Sequence, residues 1–179
     1  FHREGQLTLN LFRDNVRLFC LSFALSRANG KLVARIGGIQ GRNLPGILDE
    51  YRDITKAAHG LRPRDLVIDL FRMFCEAIGV VELLAVSDEC RHHRSPYFGF
   101  ETDREMPLDY DAIWKDRGGV WVDRFFYRLP LGRQIRDEAD IPAKKRGMYR
   151  KRYAMLEELE QAMANAVRNV KPVVRPEAE

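Results

Sequence analysis

The sequence predicts a mixed α/β (α+β) fold: a three-stranded antiparallel meander, a central helix, a returning strand and a long C-terminal helix. Three observations carry this. Residues 7–36 alternate apolar and polar positions with the period of a strand. Residues 63–78 hold an apolar face at helical spacing, with Pro63 at its start and Gly79 just past its end. A short apolar run, Val80 to Val86, follows at once and closes at Ser87-Asp88. Strands first, then helices and a further strand, indicate helices layered on one sheet.

In the meander, Leu7, Leu9 and Leu11 alternate with Thr8 and Asn10, and Arg13-Asp14-Asn15 supplies a turn. Phe19, Leu21, Phe23 and Leu25 share one face of the next run. Asn29-Gly30, the strongest short hairpin signal, leads into Leu32, Ala34 and Ile36. This third strand is expected to dissolve into Gly37-Gly38-Ile39-Gln40-Gly41. After a loop at residues 42–46, Ile47, Tyr51, Ile54 and Ala58 have helical spacing. In the central helix, Leu66, Leu70, Phe74 and Ile78 form one row and Val67, Phe71 and Cys75 the next, and Gly79 fits the left-handed cap that ends many helices.

Downstream, Asp88 to Pro107 is rich in polar and turn residues, interrupted by the aromatic cluster Tyr97-Phe98-Gly99-Phe100. Asp109 is the N-cap of a short helix to Arg117, with Tyr110 and Trp114 directed to the core. Val120 to Leu129 reads as one or two strands, and Leu131 to Ala139 as a linker. Asp140 is expected to cap the final helix, whose apolar stripe is Tyr149, Tyr153, Leu156, Leu159, Met163 and Val167. Residues 1–170 are thus expected to form one α/β domain, a piece of a longer chain because it opens on Phe1, and 171–179 a disordered tail.

The 179 residues are enough for a core, and 45% hydrophobic content with 31% charged favours a globular domain. No apolar run approaches the roughly 18 residues that span a membrane. Three widely spaced cysteines, two inside apolar patterns, suit a reducing compartment and buried thiols. The net charge of +4 is local: Lys144 to Arg152 holds six basic residues and no acid. Removing these six from the 30 Lys and Arg leaves 24 against 26 Asp and Glu.

The first candidate site is the loop from Lys56 to Arg64. The N-terminal amides of a helix attract anions. Lys56, Arg62 and Arg64 add charge, and Gly60 lets a ligand approach the backbone. The alternative is a tight helix–helix corner using Gly and Pro without a ligand. His59 is the candidate general base, since histidine titrates near neutrality; equally, it could cap the preceding helix. The glycines at 37–41 either present amides to a ligand, with Gln40 the side chain that would reach it, or mark a bulge. Cys90, His92 and His93 are metal-ligand types, but their spacing matches no zinc pattern and no metal is assigned. Asp109 and Asp111 are poorly placed for an acid/base pair and are read as structural.

The run Lys144 to Arg152 is the strongest electrostatic feature. Lys144, Lys145, Arg146 and Arg150 are its anion-binding candidates, for nucleic acid, anionic lipid headgroups or a phosphate-bearing ligand. A solvated helix face is the plain alternative.

Four strings resemble the bacterial VirK/YbjX family: residues 35–41 (RIGGIQG), 56–63 (KAAHGLRP), 109–114 (DYDAIW) with Gly118-Gly119, and 144–153 (KKRGMYRKRY). The likeness covers about residues 5 to 160. It implies a bacterial protein linked to virulence, surface-protein display and envelope stress, without an agreed biochemical activity. The order of elements also resembles the GNAT acyltransferase core, in which a strand hands over to a helix whose N-terminal loop holds the pyrophosphate of an acyl-CoA. The GNAT signature Arg/Gln-x-x-Gly-x-Gly/Ala is absent, and the helix at 47–58 intervenes. Two readings follow. One is an accessory protein of the envelope, cytoplasmic or peripheral to the inner membrane, with an anionic partner. The other is a GNAT-like acyltransferase with acyl-CoA as donor.

Overall fold

The computed structural model describes residues 4–95 and 108–170; the aromatic cluster at 97–100 and the tail at 171–179 lie outside them. The elements are β1 (Leu7–Arg13), β2 (Val16–Ala28), β3 (Lys31–Gly41), α1 (Ile47–Ala57), α2 (Pro63–Ala77), β4 (Val80–Val86), α3 (Tyr110–Asp116), β5 (Val120–Trp121), β6 (Phe126–Leu129) and α4 (Ala143–Arg168). The six strands form one mixed sheet in the order β1-β2-β3-β4-β6-β5. β1, β2 and β3 are antiparallel neighbours. β4 joins β3 in parallel, after the crossover through α1 and α2.

α2 is central because it is covered on two sides: ten of its fifteen residues are buried. Toward the sheet, Phe71 meets Phe23 at 4.5 Å between ring centroids, in a core that includes Val67, Ile36 and Ile39. On its other side, Leu66 and Met73 join Ala58, Leu61 and Leu156 in a second cluster, which docks α4. Tyr153, Leu159 and Met163 of the expected stripe pack against that cluster. α3 seals the sheet near β4, where Trp114 is fully buried and its Nε1 donates to the Val86 carbonyl at 2.8 Å.

Two expectations need correction. β3 does not dissolve at Gly37 but runs on to Gly41, still paired with β2. Gly37 is the extra residue of a bulge, since Ser22 faces Gly38 while Phe23 faces Ile36. The glycines are needed because Glu4 crosses the sheet there: a Cβ on Gly37 would stand 1.8 Å from the Glu4 carbonyl oxygen. Asp140 does not cap the final helix. It ends a 3₁₀ turn that Asp137 caps, and α4 begins at Ala143 after Pro142, whose fixed backbone sets the entry without any side-chain cap.

Candidate functional site

The α1–α2 corner is built by two consecutive left-handed residues, His59 (φ 50°) and Gly60 (φ 81°). Their turn leaves the His59 carbonyl pointing outward, and Arg152 of α4 clamps it with Nε at 3.0 Å and Nη2 at 2.8 Å. Met148 and Arg152 approach so closely that a Cβ on Gly60 would lie 2.9 Å from Arg152 Nη2. The corner and the basic helix, 93 residues apart in the chain, are therefore one structural unit.

This unit forms one wall of a cleft of about 740 Å³. Its floor is apolar, with Phe19, Leu48, Tyr51, Leu108 and Met148. Among the described residues its charged lining is cationic: Arg52, Lys56, Arg62 and Arg64, with His59 beside them. A second cleft of about 820 Å³ shares Phe19, Leu48, Tyr51 and Leu108 and continues along residues 41–49. Five of the residues singled out in the sequence, Lys56, His59, Gly60, Arg62 and Arg64, thus line one cavity.

Its cations are unequally free. Asp65 is buried and held by two neighbours, Arg62 Nε and Arg64 Nε, each at 2.8 Å. Arg62 also reaches Asp116 at 3.3 Å. Lys56 makes no ion pair among the described residues, and the N-terminus of α2 has no side-chain cap. On α4, Lys144, Lys145 and Lys151 are exposed and lie four before, three before and three after Met148, on the helix face that borders the cleft. Arg146 instead donates to the Ile141 carbonyl at 3.2 Å, and Arg150, two residues from Met148, falls on another face.

Gln40 stands apart from this cleft. Its Nε2 donates to both carboxylate oxygens of the buried Glu4, at 3.1 and 3.0 Å, and His93 Nδ1 lies 3.2 Å from the same carboxylate. Asp88 is taken up by Arg91, Arg94 and the N–H of Tyr110. Burial would raise its carboxyl, but these donors outweigh burial and hold it below the ordinary aspartate value. No group of three or more metal-ligating side chains occurs among the described residues. Asp109 caps α3 through Ala112 N–H, and Asp111 accepts from the N–H of Asp88, so both are structural.

The sequence reading passed over a polar cluster on the far side of α2. Arg72 is 1% exposed; its Nη2 donates to the Arg117 carbonyl at 2.5 Å, and its Nη1 lies 3.5 Å from Asp69. Arg117 binds the same Asp69. Burial, then the Arg117 charge, lowers the Arg72 guanidinium to about 10. The signal available was Asp69-x-x-Arg72 on a helix, a spacing ordinarily read as an exposed pair.

A family model described as "Protein of unknown function (DUF535)" matches residues 1–165. The chain is 35% identical over 168 residues to "Uncharacterized protein YbjX" of Escherichia coli (strain K12), covering 93% of this chain and 50% of that protein. It is 34% identical over 158 residues to an uncharacterized protein of Haemophilus influenzae, covering 87% of this chain and 50% of that one. A further protein of the same organism is 28% identical over 162 residues. The chain spans about half the length of the curated relatives it matches. No solved structure matches it. With the model covering most of its length and the YbjX identity spread over nearly all of it, the chain belongs to the VirK/YbjX family, DUF535.

Proposed function

We propose that the cleft beside the α1–α2 corner binds an anionic amphiphile, a molecule with an apolar chain and a phosphate-bearing head. The observation that carries this is the pairing of an apolar floor with a lining whose charges, among the described residues, are all positive. Electrostatics adds a second argument. Lys144, Lys145 and Arg146 occupy the first turn of α4 with no acid in that turn, whereas Arg62 and Arg64 at the start of α2 are balanced by Asp65. Cations at the positive end of a helix dipole are unfavourable by roughly 0.3–1 kcal/mol each, and an anion seated at the start of α4 relieves this. Such a ligand suits the envelope-stress and surface-display setting that the family resemblance implies, with the protein peripheral to the inner membrane; no described helix is long and apolar enough to cross one.

The test is a thermal-shift titration with CoA, palmitoyl-CoA and phosphatidylglycerol vesicles, repeated on the Lys56→Glu/Lys144→Glu double variant. A ligand at a hundredfold excess over its dissociation constant stabilises the fold by about 2.7 kcal/mol. Palmitoyl-CoA or the vesicles should raise the midpoint in the native chain and not in the variant. No shift with any of them would sink the reading.

A GNAT-like acyltransferase is the second reading, favoured by topology. β3 and β4 run parallel and pair only as far as Ile36 and Ala85, while β3 continues to Gly41. β4 ends at Val86, so the edge of β3 beyond it is left open, and this open edge is what supports the GNAT likeness. Acyl-CoA would then be donor in the same cleft and His59 the base. Among the described residues the cleft lining holds no carboxylate to orient that imidazole, which weighs toward binding alone. Thiol release from palmitoyl-CoA in the presence of amine acceptors, lost in His59→Ala, would favour the enzyme.

A further inference from the structure

We propose a second anion site, distinct from the amphiphile cleft, in the polar pocket of about 310 Å³ between the C-terminal end of α3, residues 134–136 and α4, with a phosphomonoester dianion as its ligand class. Lys115, Arg117, Gln134, Arg136, Tyr149 and Arg152 line it. Its two carboxylates, Asp69 and Asp116, are already engaged. Asp69 is shared by Arg117 and the fully buried Arg72, and Asp116 lies 3.3 Å from Arg62 and 3.7 Å from Arg64.

Four cations therefore face two carboxylates within the pocket, an excess of two positive charges. Arg72 stands behind it as the second guanidinium on the Asp69 carboxylate. The donors are also in surplus. Nε of Arg117, which lines the pocket, is buried without a hydrogen-bond partner among the described residues. Buried guanidinium N–H groups left unpaired are costly, and an oxyanion with several lone pairs is the group that answers them. Lys115 and Arg136 make no ion pair among the described residues and stand exposed at the rim, where they can reach a ligand.

Charge count sets the ligand class, because an excess of two is matched by a doubly ionised phosphate and not by a monocarboxylate. The polar lining separates this pocket from the neighbouring cleft, whose floor takes an apolar chain. The inference stands without the amphiphile reading, since the two cavities share no lining residue.

The experiment is isothermal titration with inorganic phosphate at pH 8 and fixed ionic strength, with sodium chloride as control. The proteins are the native chain, the rim variant Lys115→Gln/Arg136→Gln and the cleft variant Lys56→Gln/Lys144→Gln. Both pairs are exposed, and an unchanged thermal midpoint without phosphate verifies folding. The expected result is saturable binding that weakens tenfold or more in the rim variant and changes less than twofold in the cleft variant. Heats equal to the chloride control would overturn the proposal, as would binding lost in the cleft variant and kept in the rim variant.

Discussion

The hydroxyl of Tyr110 bridges the backbone of Ile39, accepting its N–H at 2.8 Å and donating to its carbonyl at 3.0 Å. This is the stretch where β3 has outrun β4, so the strand's open edge would otherwise carry an unpaired donor and acceptor. One side chain from α3, 71 residues away, stands in for a missing strand. Tyr110 is 1% exposed and Ile39 fully buried, so the bridge is shielded from bulk solvent.

Tyr110→Phe keeps the ring in the core and removes only the bridge. Leaving buried polar groups unsatisfied costs about 1–3 kcal/mol. Urea unfolding of the variant should show a stability loss in that range with an unchanged slope. A loss under about 0.5 kcal/mol would mean that another group closes the edge.

Where sequence reading succeeded, the cause was local. The rows through Val67, Phe71 and Phe74 read as buried because a helix repeats its environment every three or four residues. Asn29-Gly30 adopts left-handed angles at both positions, as a two-residue hairpin requires. What failed was decided at a distance. Gly37 and Gly38 look like strand breakers until Glu4 is seen to cross them. That the α1–α2 corner touches α4 is equally hidden, because nothing near either stretch records that Arg152 reaches the His59 carbonyl. Asp69 and Arg72 are passed over because their burial comes from elements elsewhere in the chain.

The corner at residue 60 yields a paired prediction. Gly60 and Gly79 share nearly the same left-handed angle, φ 81° and 79°, so alanine at either bears the same backbone strain, about 1–2 kcal/mol. A Cβ at Gly79 meets nothing within 4 Å, whereas one at Gly60 meets Arg152 and Met148. Gly60→Ala should therefore be the more destabilising by about 1 kcal/mol or more. Equal losses in chemical denaturation would show that α4 does not press on the corner.

Asp88 supports an acid-stability prediction. Its carboxyl is held below the ordinary 3.8 by Tyr110 N–H, Arg94 and Arg91, against the opposing effect of burial. A depressed carboxyl contributes stability that is fully present above the unfolded value and lost as pH falls through the folded one. Asp88→Asn should be less stable at pH 7 by about 1.5–3 kcal/mol, the range for hydrogen bonds to a charged group. The gap between variant and native chain should narrow only below about pH 4. A gap that closes between pH 7 and 5 would assign the acid sensitivity to a different group.

The three cysteines are free, and their surroundings separate them chemically. Burial, reinforced by Glu76, pushes the Cys75 thiol up to about 12, and burial also raises Cys20. At pH 8 the thiolate fraction at Cys75 is then roughly one in ten thousand, and the thiolate is the nucleophile. Cys90 is only half-buried, and its S–H donates to the Arg124 carbonyl at 3.4 Å. A thiol reagent should modify one cysteine quickly in the native chain and all three in denaturant, with Cys90→Ser abolishing the fast phase. Two or more fast equivalents would mean that α2 or β2 opens on the timescale of labelling, in conflict with Cys75 lying beneath the aromatic core of Phe23 and Phe71.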